Sequence, residues 1–397
     1  MPHDLPLITT IAAALSLATV LAFLAHRLRL PLIAGYLTAG IVIGPFTPGF
    51  VADPEIAQEL AEIGVILLMF GTGLQFHPRD LLAVKHIAIP GALAGISAAA
   101  LAGGGLALAM GWGMGAAVIY GLALSVASTV VLMRAMQDRD MVKTERRRIA
   151  MGWLVVEDLI TVMALVLIPP LSGLLGGRGD QSLPFSELAN VLGWTLVKLA
   201  AFVALMLVVG RRLIPSALHY TALTGQRELF RLSVLAIALG VAYGASAFFG
   251  VSFALGAFFA GMIMSGSTLS AQAMKDVLPL RDAFAVLFFV SVGMLANPAV
   301  LWLHPLPVLA TIAIILSVKT TVAFLLTRAL GQDRPTAATI AAALAQIGEF
   351  SFILIAMGTG LGILPSEARD YVVAGALVSI ILNPFLFDLL DRRLGRA

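Results

Sequence analysis

Thirteen apolar runs, separated by short polar turns, decide what this chain can become. They lie at approximately 5–25, 31–45, 59–77, 86–110, 114–136, 149–170, 187–209, 229–249, 251–266, 283–303, 306–328, 335–359 and 371–390. Most are close to the ~20 residues an α-helix needs to cross a bilayer, where each backbone polar group must be satisfied within the protein. The second and ninth are short and Gly-rich, and fit tilted or re-entrant segments equally well. Only 12% of residues are charged, against about 25% in a soluble domain. The expectation is an all-α integral membrane protein with a single domain over 1–397 and no separate soluble domain. The absence of cysteine excludes disulfides, thiolate metal sites and cysteine nucleophiles. The net charge of +3 is not a nucleic-acid signature, because the basic residues sit in short loops. No cofactor is expected. Only Met1 to Asp4 precede the first run, too little for a signal peptide with a basic leader.

Basic residues set the orientation. Alternate loops carry Arg27 and Arg29; Arg79 and Lys85; Arg134, Arg139, Lys143, Arg146, Arg147 and Arg148; Arg211, Arg212, Arg227 and Arg231; Lys275 and Arg281; Arg328 and Arg334; and Arg392, Arg393 and Arg396. The opposite loops hold only Arg178 and Arg369, with Asp53 and Glu55. That asymmetry predicts a cytoplasmic C-terminus and an outside N-terminus.

The sequence also repeats at a spacing of about 220. Ile33 to Ile41 (IAGYLTAGI) resembles Ala254 to Met262 (ALGAFFAGM), Leu67 to Leu74 (LLMFGTGL) resembles Leu287 to Met294 (LFFVSVGM), and Ala123 to Ser125 resembles Ala343 to Ala345. The spacing covers seven helices, an odd number. Two six-helix repeats, about 5–170 and 229–390, would therefore be inverted, with about 187–209 as a linker helix. Inverted repeats mark secondary transporters, whose sites lie at mid-membrane on interrupted helices.

Four polar features fall near the centres of their runs. Glu157 and Asp158 sit side by side in the sixth run, Lys319 in the eleventh, Ser125 to Val131 in the fifth and Gln346 to Ser351 in the twelfth. An ionisable group at that depth costs at least ~2.5–3.5 kcal/mol on insertion scales, and two adjacent carboxylates are harder still to place. The plain alternative is a structural acid neutralised by a base. Lys319 is too deep to reach an interface easily and needs a carboxylate partner. Ser128 and Thr129 can simply bond back to their own helix, and Glu349 fits a structural counter-charge better than an ion ligand. The fifth and twelfth runs correspond under the 220 spacing, so their polar stretches predict two discontinuous helices lined by Ser128, Thr129, Gln346, Gly348 and Glu349.

Together these segments resemble a known family. GWLVVEDLITVMALVLIP (Gly152 to Pro169) resembles the acidic motif of monovalent cation:proton antiporters of the Kef (K+/H+) and bacterial Na+/H+ exchanger type. YGLALSVASTVVL (Tyr120 to Leu132), SFALGAFFAGMIMSGS (Ser252 to Ser267), FFVSVGM (Phe288 to Met294) and QIGEFSFIL (Gln346 to Leu354) carry the same likeness across all thirteen runs. The resemblance implies a mobile core with two crossing broken helices and a second bundle forming a homodimer. It implies that Asp158 binds a transient monovalent cation and a proton alternately, and that Glu157 pairs with Lys319 when no cation is bound. The chain departs from the family at three places. Its acidic pair is Glu-Asp, where Kef proteins have Gln-Asp and several Na+/H+ exchangers have Asp-Asp. Gln75 stands where many relatives have Glu. These 397 residues do not include the cytoplasmic nucleotide-binding domain, a regulatory partner, that Kef-type proteins carry.

The expected function is exchange of K+ or Na+ for H+ by alternating access, with no enzymatic activity. Alternatives are a gated cation channel on the same scaffold and, against the residue pattern, an intramembrane aspartyl protease. That protease needs two acids facing one bond, whereas adjacent helical residues point about 100° apart.

Overall fold

The computed structural model describes residues 6–28, 30–75, 78–137, 139, 141, 144–177 and 185–394. Arg29, Lys143, Arg178 and Arg396, four of the basic residues used for orientation, lie outside the described residues. Among the described residues the regular structure is helical throughout. In chain order the helices are α1 (Pro6–Arg27), α2 (Leu32–Ile43), α3 (Pro54–Gln75), α4 (Pro78–Ala109), α5 (Met114–Ser125), α6 (Thr129–Gln137), α7 (Glu145–Leu167), α8 (Phe185–Leu205) and α9 (Arg211–Leu223). They continue as α10 (Arg227–Phe249), α11 (Phe253–Ser265), α12 (Ser270–Met294), α13 (Val300–Leu303), α14 (Pro305–Ala313), α15 (Lys319–Ala329), α16 (Arg334–Leu344), α17 (Glu349–Gly360) and α18 (Ser366–Leu394). Among the described residues, ten spans are long and apolar enough to cross a membrane, and α2, α5 and α11 are shorter apolar helices.

Several helices outrun the apolar stretches that predicted them. α12 begins at Ser270 and carries Lys275 and Arg281, well before the apolar run at 283, and the linker run continues as α9 to Leu223. An apolar window locates the part of a helix suited to the hydrocarbon layer, while the helix itself continues beyond it, here even through Pro279 of α12 and Pro215 of α9. Two π-helical turns, Met206–Gly210 and Ile314–Val318, join α8 to α9 and α14 to α15.

Small residues let the helices touch backbone to backbone, as membrane helices must when no hydrophobic effect drives them together. α1 buries Ala14, Ala18, Ala22 and Ala25, and a Cβ at Gly35 of α2 would meet the Ala22 backbone nitrogen at 2.6 Å. Residues 220 further on, α10 buries Val234, Ala238, Ala242 and Ala245, and Gly256 of α11 faces Ala242 and Ala245 in the same way. The glycines of α2, α3, α11 and α12 pair likewise. A Cβ at Gly40 would strike the Val290 carbonyl, and one at Gly261 would strike the Phe70 carbonyl. A Cβ at Gly293 would strike the Leu37 carbonyl, and one at Gly73 the Phe258 carbonyl. Each contact thus has a counterpart about 220 residues away with the two halves exchanged.

Helices α4, α7 and α18, with the continuous span α14–α15, surround two interrupted ones. The first is α5 and α6, broken at Val126–Ser128, and the second is α16 and α17, broken at Ala345–Gly348. The buried Tyr120 hydroxyl shares a 2.6 Å hydrogen bond with Thr311, which fixes α5 to α14.

Candidate functional site

Both interruptions follow from local chemistry. At Val126 the backbone turns extended, and Ser128 caps α6 by accepting the Val131 N–H at 3.3 Å. Gly348 is extended and starts α17 with Glu349 in its first turn, where the helix dipole favours a carboxylate. A Cβ at Gly348 would lie 2.7 Å from the Ser128 Cα, so only glycine permits the two breaks to lie in contact.

Broken backbone in a membrane must find partners elsewhere, and several of these groups find them across the two breaks. The Gly348 N–H donates to the Val126 carbonyl at 3.1 Å. The Gln346 amide grips Ser128 twice, accepting from its N–H at 3.0 Å and donating to its carbonyl at 3.1 Å. The Ala127 N–H donates to Glu157 Oε2 at 3.0 Å. The Ser128 hydroxyl donates to Glu349 Oε2 at 3.2 Å, linking one break to the other.

α7 brings the acidic pair to this crossing, and its helical geometry sends the two side chains in different directions. Glu157, fully buried, points to α15, where Lys319 Nζ donates to Oε2 at 2.9 Å and is itself only 1% exposed. The π-helical turn Ile314–Val318 immediately precedes Lys319, and such turns are frequent at functional sites. The indole N–H of Trp153, one turn earlier on α7, donates to the other oxygen, Oε1, at 3.0 Å. Asp158 points to the start of α6, where the Thr129 hydroxyl donates to Oδ2 at 3.4 Å. Its Oδ1 is buried and has no hydrogen-bond partner. Thus Glu157 accepts three donors including the ammonium, whereas the side-chain donors to Asp158 and Glu349 are the hydroxyls of Thr129 and Ser128.

The structure therefore gathers Glu157, Asp158, Lys319, Ser128, Thr129, Gln346, Gly348 and Glu349 around one crossing. Sequence reasoning missed Trp153, whose only signal was its spacing of four from Glu157. It also missed Asn383 of α18, which is 1% exposed and donates to the Ala342 carbonyl at the end of α16 at 2.7 Å.

Comparison with known proteins bears on what the crossing is for. The family model described as sodium/hydrogen exchanger, transmembrane, matches residues 12–390. The chain belongs to this exchanger family. It is a transporter and not an enzyme. It is 56% identical over 397 residues to the cation/proton antiporter YbaL of Escherichia coli (strain K12), covering 100% of this chain and 71% of that protein. It is 32% identical over 364 residues to K(+) efflux antiporter 4 of Arabidopsis thaliana, covering 91% of this chain and 60% of that protein. The structure of the sodium proton antiporter MjNhaP1 from Methanocaldococcus jannaschii at pH 8 superposes with a TM-score of 0.68, covering 98% of each chain at 18% identity. The exchanger thus shares its fold with that antiporter.

Proposed function

We propose that this exchanger trades a monovalent cation, K+ or Na+, for a proton by alternating access, with Asp158 as the group that holds each in turn. The observation that carries the reading is the contrast within the acidic pair. Glu157 is saturated by Lys319, Ala127 and Trp153, while Asp158 keeps one buried oxygen free. A carboxylate without a cationic partner at mid-membrane is costly unless a cation or a proton joins it. Thr129, Ser128 and the broken backbone supply further oxygens nearby.

The architecture we propose has thirteen crossing helices, the ten long spans and the three shorter ones, arranged as two inverted repeats (about 5–170 and 229–390) around the linker helix. The exchanged glycine and alanine contacts support this reading. On it, α1–α3 and α10–α12 form the rigid, homodimeric bundle and α4–α7 with α14–α18 the moving core. The basic loops support a cytoplasmic C-terminus and an outside N-terminus, and we assign the protein to the inner membrane of a prokaryote. The partners are K+ or Na+, H+, the lipid bilayer and a second copy, with a nucleotide-binding regulatory domain as a further possible neighbour in Kef-type relatives.

The test is flux in proteoliposomes carrying a pH dye, with Na+, K+ and Li+ supplied in turn. Cation-driven proton movement is expected for one or more ions, and Asp158→Asn should abolish it while leaving the melting temperature within a few degrees of the parent. An amide still offers an oxygen but has no proton to trade. Proton-coupled flux surviving in Asp158→Asn would remove Asp158 as the carrier.

A further inference from the structure

All three groups that reach the Glu157 carboxylate are donors. Lys319 Nζ and the Ala127 N–H share Oε2, and the Trp153 indole takes Oε1. An indole N–H donates only and has no acceptor face to offer instead. Nor can the indole turn away. Trp153 is completely buried, and α4 presents Gly91 and Gly95, one turn apart, to its ring. A Cβ at Gly91 would strike the six-membered ring, and one at Gly95 would lie 3.4 Å from Cζ2 and 3.7 Å from Nε1. The two glycines form a slot that fixes the direction of the donor.

We infer that Trp153 is a positioning residue that specifies a carboxylate, and not an amide, at 157, and through that carboxylate holds Lys319 beside the crossing. A glutamine at 157 carries one acceptor and one NH2. With its oxygen towards Lys319 and Ala127, its NH2 meets the indole N–H. Turned over, its NH2 meets the ammonium and the Ala127 amide. Either way a donor faces a donor in a dry site. From the sequence alone, Glu157→Gln would be expected to keep some exchange, because it recreates the Gln-Asp pair of Kef-type proteins. The indole reverses that expectation for this chain.

The test compares the full-length parent, Trp153→Phe, Glu157→Gln and the double variant. Phenylalanine keeps an aromatic ring in the slot and removes the donor. Melting temperature in detergent and exchange in proteoliposomes are both read. Glu157→Gln should lose about tenfold or more in exchange, the scale of one or two buried donors left facing no acceptor. Trp153→Phe should lose only a few-fold, because Lys319 and Ala127 still hold the carboxylate. The double variant should exchange and melt better than Glu157→Gln alone, a gain on adding a second substitution that a merely space-filling tryptophan would not give. A double variant no better than Glu157→Gln, or a Glu157→Gln protein that tolerates the amide with Trp153 intact, would overturn the inference. Should Glu157→Gln fail to fold, recovery of a monodisperse protein in the double variant is the supporting result and its absence the overturning one. The transport arm rests on the exchange reading. A parent that moves no cation against protons would end that reading, while the melting comparison would still decide the role of Trp153.

Discussion

A buried ion pair is fragile in a particular way, and Glu157 with Lys319 shows it at the level of single residues. Removing one partner strands the other charge, at a cost of ~3–5 kcal/mol in a dry site, whereas removing both costs far less. Lys319→Gln and Glu157→Gln should each lower the melting temperature clearly, and the double variant should lose less than the sum of the two. Strictly additive losses in that cycle would show that the 2.9 Å contact carries no coupling. These two residues were legible in the sequence because an ionisable side chain in an apolar run demands a partner, and the chain offers few. Trp153 was not, since a tryptophan in such a run has a ready place against lipid or in the core. Nothing in the sequence fixes where its N–H points until Gly91 and Gly95 close around the ring.

Whole helices bring a different kind of constraint, because a broken helix has to be supported from outside itself. Gly348→Ala would place a methyl 2.7 Å from the Ser128 Cα, so the breaks would have to separate and give up the Gln346 and Gly348 hydrogen bonds. Loss of several buried hydrogen bonds at ~1–3 kcal/mol each should leave a poorly folded protein, and a Gly348→Ala variant with parental melting and exchange would contradict the crossing. At the start of the preceding half-helix, Asp333 caps α16 by accepting the Thr336 N–H at 3.0 Å. Hydrogen bonding to Thr336, helped by Arg146 and Arg328, holds its carboxyl below the usual carboxylate range. A depressed value in the folded state means that the cap contributes at neutral pH and fades as acid protonates it. Asp333→Ala should therefore cost about 1 kcal/mol near pH 7, with the difference from the parent shrinking below about pH 4 and Asp333→Asn nearly neutral. A penalty that grew on acidification would refute this assignment. The positions of the two breaks were legible from matching polar stretches 220 residues apart. The π-helical turn before Lys319 was not, because its residues Ile314–Val318 are as apolar as their neighbours.

Across the molecule, the three weak sequence matches at a spacing of about 220 are accompanied by paired backbone contacts at the same spacing, which local sequence patterns alone do not reveal. The orientation rests on charge and has a direct check. The chain contains no cysteine, so Glu145→Cys, at the exposed start of α7, should react with an impermeant thiol reagent only from the cytoplasmic face. Labelling from outside would invert the proposed topology. The crossing of the two breaks also has a consequence for the birth of the protein. Ser128 is bonded to Gln346, 218 positions later in the chain, and a ribosome adding ~5–20 residues per second needs about 10–45 s to cover that distance. Throughout that interval the Ser128 amide and the Val126 carbonyl sit in a nascent membrane protein whose partners have not been made. The second break, by contrast, emerges to find its counterpart already waiting. A stalled or truncated message therefore leaves behind a first half whose broken helix lacks the Gln346 and Gly348 partners that complete it.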